Sequence, residues 1–261
     1  MKMRLRFLTP VVGISILILV SCTQDESATR MPVTSDSELA LEFYETGILA
    51  FDQIKIELAY HNLEMAVKED PDFFMAYFWM YFLSGKSPNK IADKALHTES
   101  NLNEGEEQIR TAFKYLLDGQ EEKVVKHLQM AVDIYPSDPQ VHKILYILQL
   151  HYMKDMEGAV KSINRAISAQ PGYAMAYNQL GYAMMDLEEL DKAEKAFDTY
   201  IKLEPSIANP YDSKGDYYMH IKEYEKAYES YMKAYEVDGD FKYSEKKAQK
   251  AKYLLEKSSG E

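Results

Sequence analysis

Residues 176–205 read AYNQLGYAMMDLEELDKAEKAFDTYIKLEP, and residues 210–239 read PYDSKGDYYMHIKEYEKAYESYMKAYEVDG. A shift of 34 residues superimposes the second stretch on the first, with an aromatic, a glycine and an alanine in register. The matching positions are Tyr177 with Tyr211, Gly181 with Gly215, Ala193 with Ala227, and Phe197 with Tyr231. A fixed period of this length indicates stacked structural units rather than one irregular domain.

The second half of each unit carries a spacing that recurs five times along the chain. A small residue is followed by an apolar residue four positions later, by another small or aromatic residue three further on, and by proline or glycine after five more. The five copies begin at Ala59, Val124, Ala159, Ala193 and Ala227. Steps of four and three place these side chains on one face of a helix. Because proline cannot continue a helix, each unit is expected to contain two antiparallel helices that bury their apolar stripe by stacking.

This pattern resembles the tetratricopeptide repeat, most closely over 174–207 and nearly as well over 208–241. The second unit departs from the family pattern at Lys214, where an apolar residue is expected, and at Gly239 in place of proline. The resemblance implies an all-α, superhelical solenoid of about six helix pairs over residues 37–241. Residues 242–261 are expected to form a cap helix and tail that cover the last apolar face.

Two local features set the expected limits of the N-terminal units. Ser35 and Glu38 have the spacing of a capping box, which predicts the start of the first helix. Phe74–Ser84 and Pro88–Leu96 are predicted as a degenerate helix pair, with Ser87 as the cap of its second helix and proline at the first helical position.

Residues 1–22 read MKMRLRFLTPVVGISILILVSC and are typical of a secretory signal. The apolar run is about half the ~20 residues that a membrane-spanning helix needs. Its end resembles the lipobox of bacterial lipoproteins, which implies that residues 1–21 are removed and that Cys22 is lipidated, as by palmitate and a diacylglyceryl group. Residues 22–36 are predicted to be the lipidated cysteine and a flexible tether.

The residues after Cys22 suggest a location. Thr23 rather than an aspartate follows the cysteine, which by resemblance to enterobacterial sorting implies the outer membrane. Asp25-Glu26 resembles the export signals of Bacteroidetes surface lipoproteins. The expected location is therefore the bacterial envelope, on the periplasmic or the surface face of the outer membrane.

The negative charge of the chain limits the kinds of partner that it can bind. The formal net charge is −12, and the only basic cluster lies in the signal segment. Such a body repels phosphate backbones, so nucleic-acid binding is not expected. It also repels anionic lipid, so membrane association requires an anchor. No nucleotide-binding loop, metal motif or nucleophile elbow occurs in the sequence, so neither a cofactor nor enzymatic activity is predicted.

First helices of the family line a concave groove, and the resemblance suggests which side chains of this chain meet a partner there. They are Ile144, Leu148, Tyr152, Asn178, Tyr182, Met185, Asp212, Asp216 and Met219. A groove that turns from apolar and aromatic to acidic would favour a peptide with aromatic and basic residues. The alternative is that the methionines and tyrosines are packing residues and the aspartates are simply solvated.

The sequence therefore predicts a lipid-anchored adaptor that binds another envelope protein or peptide. Cell-surface capture of glycans or nutrients is an alternative, because a surface rich in tyrosine could stack on sugars, and the chain has 21 tyrosines. A structural spacer without a saturable partner is a third reading. All three rest on fold-level analogy.

Overall fold

The repeating units of the sequence fold as a series of helix pairs. The computed structural model describes residues 30–84 and 88–258, and this part of the chain contains helices and no strand. The helices have these bounds: α1 Glu38–Asp52, α2 Ile56–Glu69, α3 Phe74–Leu83, α4 Pro88–Leu96, α5 Glu104–Leu117, α6 Glu121–Ile134, α7 Pro139–Leu148, α8 Met156–Ala169, α9 Ala174–Asp186, α10 Leu190–Leu203, α11 Ala208–His220, α12 Tyr224–Val237 and α13 Lys242–Ser258. Helices α1 to α12 form six pairs, and α13 packs on α12. The predicted solenoid and the helical part of its cap are therefore confirmed.

The recurring spacing forms the buried face of the second helices. Its first position is fully buried in all five copies, and so is the apolar residue four positions later, apart from Tyr231, which is 2% exposed. Four apolar clusters follow one another along the chain. Ile147, Leu180 and Tyr218 each pack against two successive clusters, so the core is continuous from pair to pair. This is the packing expected of a stack in which a single pair has no core of its own.

The unit that begins at α7 is one residue longer than the units after it. α7 begins 35 residues before α9, whereas α9 begins 34 before α11. The extra residue lies in a π-helical turn, Gln149–Met153, which continues α7 and ends at Lys154 in the left-handed region. Such turns accommodate single-residue insertions in helices. Positions in α7 must therefore be compared with α9 at a shift of 35.

A hydrogen bond that recurs in three units confirms this register. The phenol of Tyr177 donates to the carbonyl of Pro171, and the phenol of Tyr211 donates to that of Pro205. In the longer unit, the Nε2 atom of His142 lies 2.9 Å from the carbonyl oxygen of Pro136. His142 is thus the counterpart of Tyr177, 35 residues earlier.

Residues 30–36 run along the solenoid, in contrast to the flexible tether predicted for residues 22–36. The amide of Met31 donates to Asp138 Oδ2 over 2.7 Å, and the amide of Thr34 donates to Glu106 Oε1 over 2.8 Å. Met31 is buried. Because each amide finds a carboxylate on the body, this segment is a packed strap rather than a free linker.

Two further predictions at helix starts had different outcomes. The cap of α1 is Ser37, whose hydroxyl accepts from the amide of Ala40, so the predicted role of Ser35 is wrong. Ser35 instead donates to Asp70 Oδ2. The predicted pair over 74–96 is confirmed by α3 and α4, whereas its cap Ser87 lies outside the described residues. The predicted signal segment 1–21 and Cys22 also lie outside them.

Candidate functional site

The end of α1 reaches across to helices that follow it by ninety residues or more. Asp52 Oδ1 lies 2.8 Å from the Nζ atom of Lys143 on α7. The phenol of Tyr173, just before α9, donates to the same carboxylate over 3.3 Å. The turn between α1 and α2 is therefore held opposite the first helices of the later pairs.

A cavity of about 970 Å³ lies between this turn and helices α9, α11 and α13. Residues 54–58 line one side of it, with apolar Ile54, Ile56 and Leu58. Residues of the two first helices, including Tyr182, line the other side. A second cavity of about 380 Å³ shares Ile54 and Ile56 and extends toward α7. Volumes of this size are typical of ligand sites.

Three polar residues occupy equivalent positions on successive first helices, and we call them the polar row. They are Lys143 on α7, Asn178 on α9 and Asp212 on α11, separated by 35 and 34 residues. Their exposed fractions are 0%, 2% and 6%. Buried polar groups need partners, so the contacts of each residue show what the row does.

The Lys143 ammonium is enclosed by its partner and by aromatic rings. Besides the Asp52 carboxylate, it lies 5.2 Å from the centroid of the Phe51 ring and 4.9 Å from that of Trp79. Burial lowers the pKa of Lys143, and the neighbouring Asp52 carboxylate opposes that shift. Lys143, at this end of the polar row, therefore holds the N-terminal helix pair, α1 and α2, against α7.

The Asp212 end of the row is held by the cap helix. Asp212 Oδ1 accepts from the hydroxyl of Ser244 over 2.6 Å, and Oδ2 lies 2.7 Å from the Nζ atom of Lys247. Lys247 also lies 2.9 Å from Asp216 Oδ1. Burial by itself lowers the pKa of Lys247, but the carboxylates of Asp212 and Asp216 outweigh it and raise that pKa.

Two tyrosines complete the surroundings of Asp216. Tyr182 donates to Asp216 Oδ2 over 2.8 Å, and Tyr231 donates to Oδ1 over 2.7 Å. Burial raises the pKa of both phenols, and the Asp216 carboxylate adds to the rise. They therefore remain neutral donors at ordinary pH and hold the Asp216 carboxylate in place at this wall of the cavity.

Asn178, in the middle of the row, has no such partner. Its Oδ1 atom is buried without a hydrogen bond to any described residue. Its amide nitrogen has only a weak contact, at 3.9 Å from the sulfur of Met175. The side chain lines the larger cavity. The middle of the row therefore presents an unsatisfied acceptor.

The structure brings four of the predicted partner residues together at the larger cavity: Asn178, Tyr182, Asp212 and Asp216. The predicted acidic character of the two aspartates is largely offset, because Lys247 lies between them. The sequence predicts that both aspartates face a partner or, alternatively, that both are solvated, and neither prediction takes Lys247 into account.

The other five predicted residues lie elsewhere. Three of them are buried in the core: Ile144, Leu148 and Met185. The first two were predicted with a shift of 34, and the π-helical turn moves the register by one residue. Met185 packs in the same cluster as Tyr217 of the next first helix. Tyr152 is 44% exposed and lines the smaller cavity, whereas Met219 packs beside α12 and α13.

Sequence reasoning missed the residues that close the site. Lys143 had a detectable signal, because it is a cation within an apolar stretch and lies 35 residues before Asn178. The sequence contains no comparable signal for residues 54–58 or Asp52. They reach the site only because the stack curves, and a single unit does not show how far it does so. Lys247 is predicted from the sequence only as part of the cap helix and tail, not as part of the site.

Neither a metal site nor a membrane-spanning helix is present in the described residues, 30–84 and 88–258. No group of three or more His, Cys, Asp or Glu side chains in them is arranged to hold a metal ion. None of the helices there combines the length and the apolar character needed to cross a bilayer.

Comparison with known proteins supports the repeat assignment. A family model described as tetratricopeptide repeat matches residues 174–207 and 208–241. No curated protein matches the chain. The matched residues are the two units in which the repeat is most regular.

Several solved structures are similar at low identity. The crystal structure of MamA protein is 18% identical, covers 77% of this chain and 93% of its own, and has a TM-score of 0.42. MamA 41-end from Desulfovibrio magneticus RS-1 is 17% identical, covers 60% and 94%, and has a TM-score of 0.47. The APC/C hetero-tetramer Cut9-Hcn1 is 18% identical, covers 81% and 42%, and has a TM-score of 0.49. From its own helix pairs and matched repeats, the chain is an all-α solenoid of the tetratricopeptide type.

Proposed function

We propose that this protein is a non-enzymatic, lipid-anchored adaptor that binds another envelope protein through the larger cavity of its first helices. One observation carries the binding role: the buried Asn178 acceptor lacks a partner at the wall of a cavity of about 970 Å³. The neighbouring members of the polar row are both satisfied within the chain. Repeat scaffolds of this type present such surfaces to proteins.

The anchor is proposed from the signal-like residues 1–21 and the lipobox-like position of Cys22. Nine residue steps separate Cys22 from Met31, the first strap residue whose amide is bonded to the body. An extended chain of that length reaches at most about 30 Å. A lipidated Cys22 would thus keep the strap side of the solenoid close to the bilayer, on the periplasmic or the surface face of the outer membrane.

The anchor is tested by metabolic labelling with an alkyne-bearing fatty acid. We expect the wild-type chain to carry the label and to fractionate with membranes, and Cys22→Ser to lose both. Unlabelled wild-type protein, or label that persists in Cys22→Ser, would overturn the lipoprotein assignment.

The binding role is tested by site-specific crosslinking. A photoreactive phenylalanine analogue is placed at Tyr243, which is 78% exposed and lines the cavity, or at Met130, which is 39% exposed on α6. We expect a discrete crosslinked partner from Tyr243 but not from Met130, because only the former lies beside the proposed site. The same products from both positions, or none from Tyr243, would argue against it.

A further inference from the structure

We propose that the larger cavity binds a short extended peptide segment of a partner through a lysine or arginine side chain that is flanked by apolar residues. This rests on the proposed adaptor function and adds the chemistry of its partner. Charge, an unsatisfied acceptor and an apolar margin each support it.

The cavity lining has an excess of negative charge. Five carboxylates and two ammonium groups line it, which gives a formal charge of −3: Glu57, Asp212, Asp216, Asp238 and Asp240 against Lys55 and Lys247. Lys247 is committed to the aspartates of α11. Among the described residues, no ion pair is formed by Glu57, Asp238 or Asp240, and Glu57 and Asp240 are exposed. A cationic group at the mouth would therefore meet uncompensated carboxylates.

Two buried polar atoms of residues that line the cavity lack a hydrogen-bond partner among the described residues, Asn178 Oδ1 and Ser213 Oγ, and the amide oxygen is purely an acceptor. Asn178 Oδ1 is buried in a side chain that is 2% exposed, and it lacks a donor among the described residues. Leaving such an atom unpaired costs free energy, so a ligand that brings an N–H group gains by satisfying it. Peptide amides and the head groups of lysine and arginine all donate N–H.

Large apolar side chains surround the opening. Ile56, Leu58 and Tyr243 are 37%, 48% and 78% exposed, and Phe241 lies beside them. Grouped apolar exposure of this kind marks interaction sites. It provides contacts for the residues that flank a basic side chain. Because the cavity has a volume of about 970 Å³, it accommodates a few residues of a peptide but not a folded domain.

The test uses blocked peptides and the full chain. The probe is N-acetyl-Ser-Leu-Lys-Leu-Ser-amide, and its matched controls carry norleucine or glutamate in place of lysine. Binding is measured by isothermal titration calorimetry at low salt. We expect the lysine peptide to bind at least about tenfold more tightly than either control, because a hydrogen bond to a charged group and the excess of carboxylates favour it.

Three variants locate the binding. Glu57→Gln with Asp240→Asn changes exposed side chains and is expected to weaken the lysine peptide about tenfold. Asn178→Leu is expected to abolish binding, with circular dichroism to confirm that it folds. Glu121→Gln with Glu122→Gln removes the same charge from the exposed start of α6 and should leave the affinity unchanged.

Equal affinity for the three peptides, no binding of any of them, or an equal effect of the α6 variant would overturn the proposal. These results are separable from the crosslinking test. If Tyr243 still captured a discrete partner while the lysine peptide showed no preference, the adaptor function would stand and the basic-peptide chemistry would fail.

Discussion

The Nζ atom of Lys143 lies 2.8 Å from Oδ1 of Asp52, and this ion pair joins α7 to the end of α1 across ninety-one residues of sequence. The lysine side chain is fully buried, whereas that of Asp52 is 16% exposed. Through this pair the α1–α2 turn is held over the first helices, which creates the second wall of the cavity. The integrity of the site therefore depends on an interaction outside its lining helices.

Asp52→Ala is expected to lower the free energy of unfolding by about 3–5 kcal/mol, because it leaves the buried Lys143 ammonium without its partner. Removing both charges, as in Asp52→Leu with Lys143→Met, is expected to cost less than Asp52→Ala alone, since no unpaired charge then remains. Urea denaturation followed by circular dichroism measures both. Equal losses of stability in the single and the double variant would show that the unpaired Lys143 ammonium is not the cause of the loss.

The repeat, the number of helix pairs and the cap helix could be predicted from sequence because each follows from spacing within one unit. The buried position of Lys214 could not, since it required knowing that Asp198 and Glu194 lie within 2.7 and 3.1 Å of its ammonium. The same holds for Asp52 and Lys143. Lys214 meets these carboxylates across neighbouring helices. Asp52 and Lys143 instead meet across distant units, and that contact depends on the curvature of the stack, which no single unit encodes.

The site was predicted only in part for a related reason. Asn178 and Asp212 lie in regular units, and a shift of 34 placed them correctly in equivalent positions. The same shift applied to α7 selected Ile144 instead of Lys143, because the π-helical turn adds one residue. A shift taken from Pro136 and Pro171, which are 35 apart, would have avoided that error.

Gly181→Ala is expected to destabilise the protein by about 1–3 kcal/mol through overpacking. A Cβ atom there would lie 2.5 Å from the ring of Phe197 on α10, and the paired helices would have to separate. Gly172→Ala is the matched control, because a Cβ atom at that position meets nothing within 4 Å. Thermal unfolding compares the two. A similar change in melting temperature for both would contradict the close approach of α9 and α10.

The protein is expected to lose stability as the pH rises above 10. Burial raises the pKa of Tyr200 to about 12 and the pKa values of Tyr146 and Tyr173 well above the usual 10.0. The folded state therefore retains protons that the unfolded state releases, so each such phenol costs about 1.4 kcal/mol of stability per pH unit until its folded pKa is reached. The lowered pKa of Lys143 makes stability rise with pH instead, but this effect ends at pH 10.5, the usual pKa of a lysine.

Tyrosinate absorbance and far-ultraviolet circular dichroism, recorded together during an alkaline titration, test this expectation. The absorbance of the buried phenols should appear together with the loss of helix. Tyr200→Phe should make stability fall less steeply with pH, because one proton fewer is involved. If all the tyrosines titrated near pH 10 while the helices stayed intact, Tyr146, Tyr173 and Tyr200 would not be buried as described.

Asp138→Asn is expected to release the strap without damage to α7. Asp138 Oδ1 accepts from the amides of Gln140 and Val141 at the start of that helix, whereas Oδ2 accepts from the amide of Met31. An asparagine retains one carbonyl oxygen for the helix cap but offers an amide nitrogen, which is not an acceptor, in place of the second oxygen. Amide hydrogen exchange at Met31 should therefore become at least about tenfold faster, as for the loss of a bond worth about 1.4 kcal/mol.

The amide of Val141 is the internal control for this variant, because it should keep its protection. The amide of Thr34, which donates to Glu106, reports whether the strap detaches at one end or along its whole length. Fast exchange at Met31 with a protected Thr34 would show that each carboxylate holds its own part of the strap. If Met31 exchange were unchanged, or if Val141 accelerated equally, the two oxygens of Asp138 would not have the separate roles that the structure assigns to them.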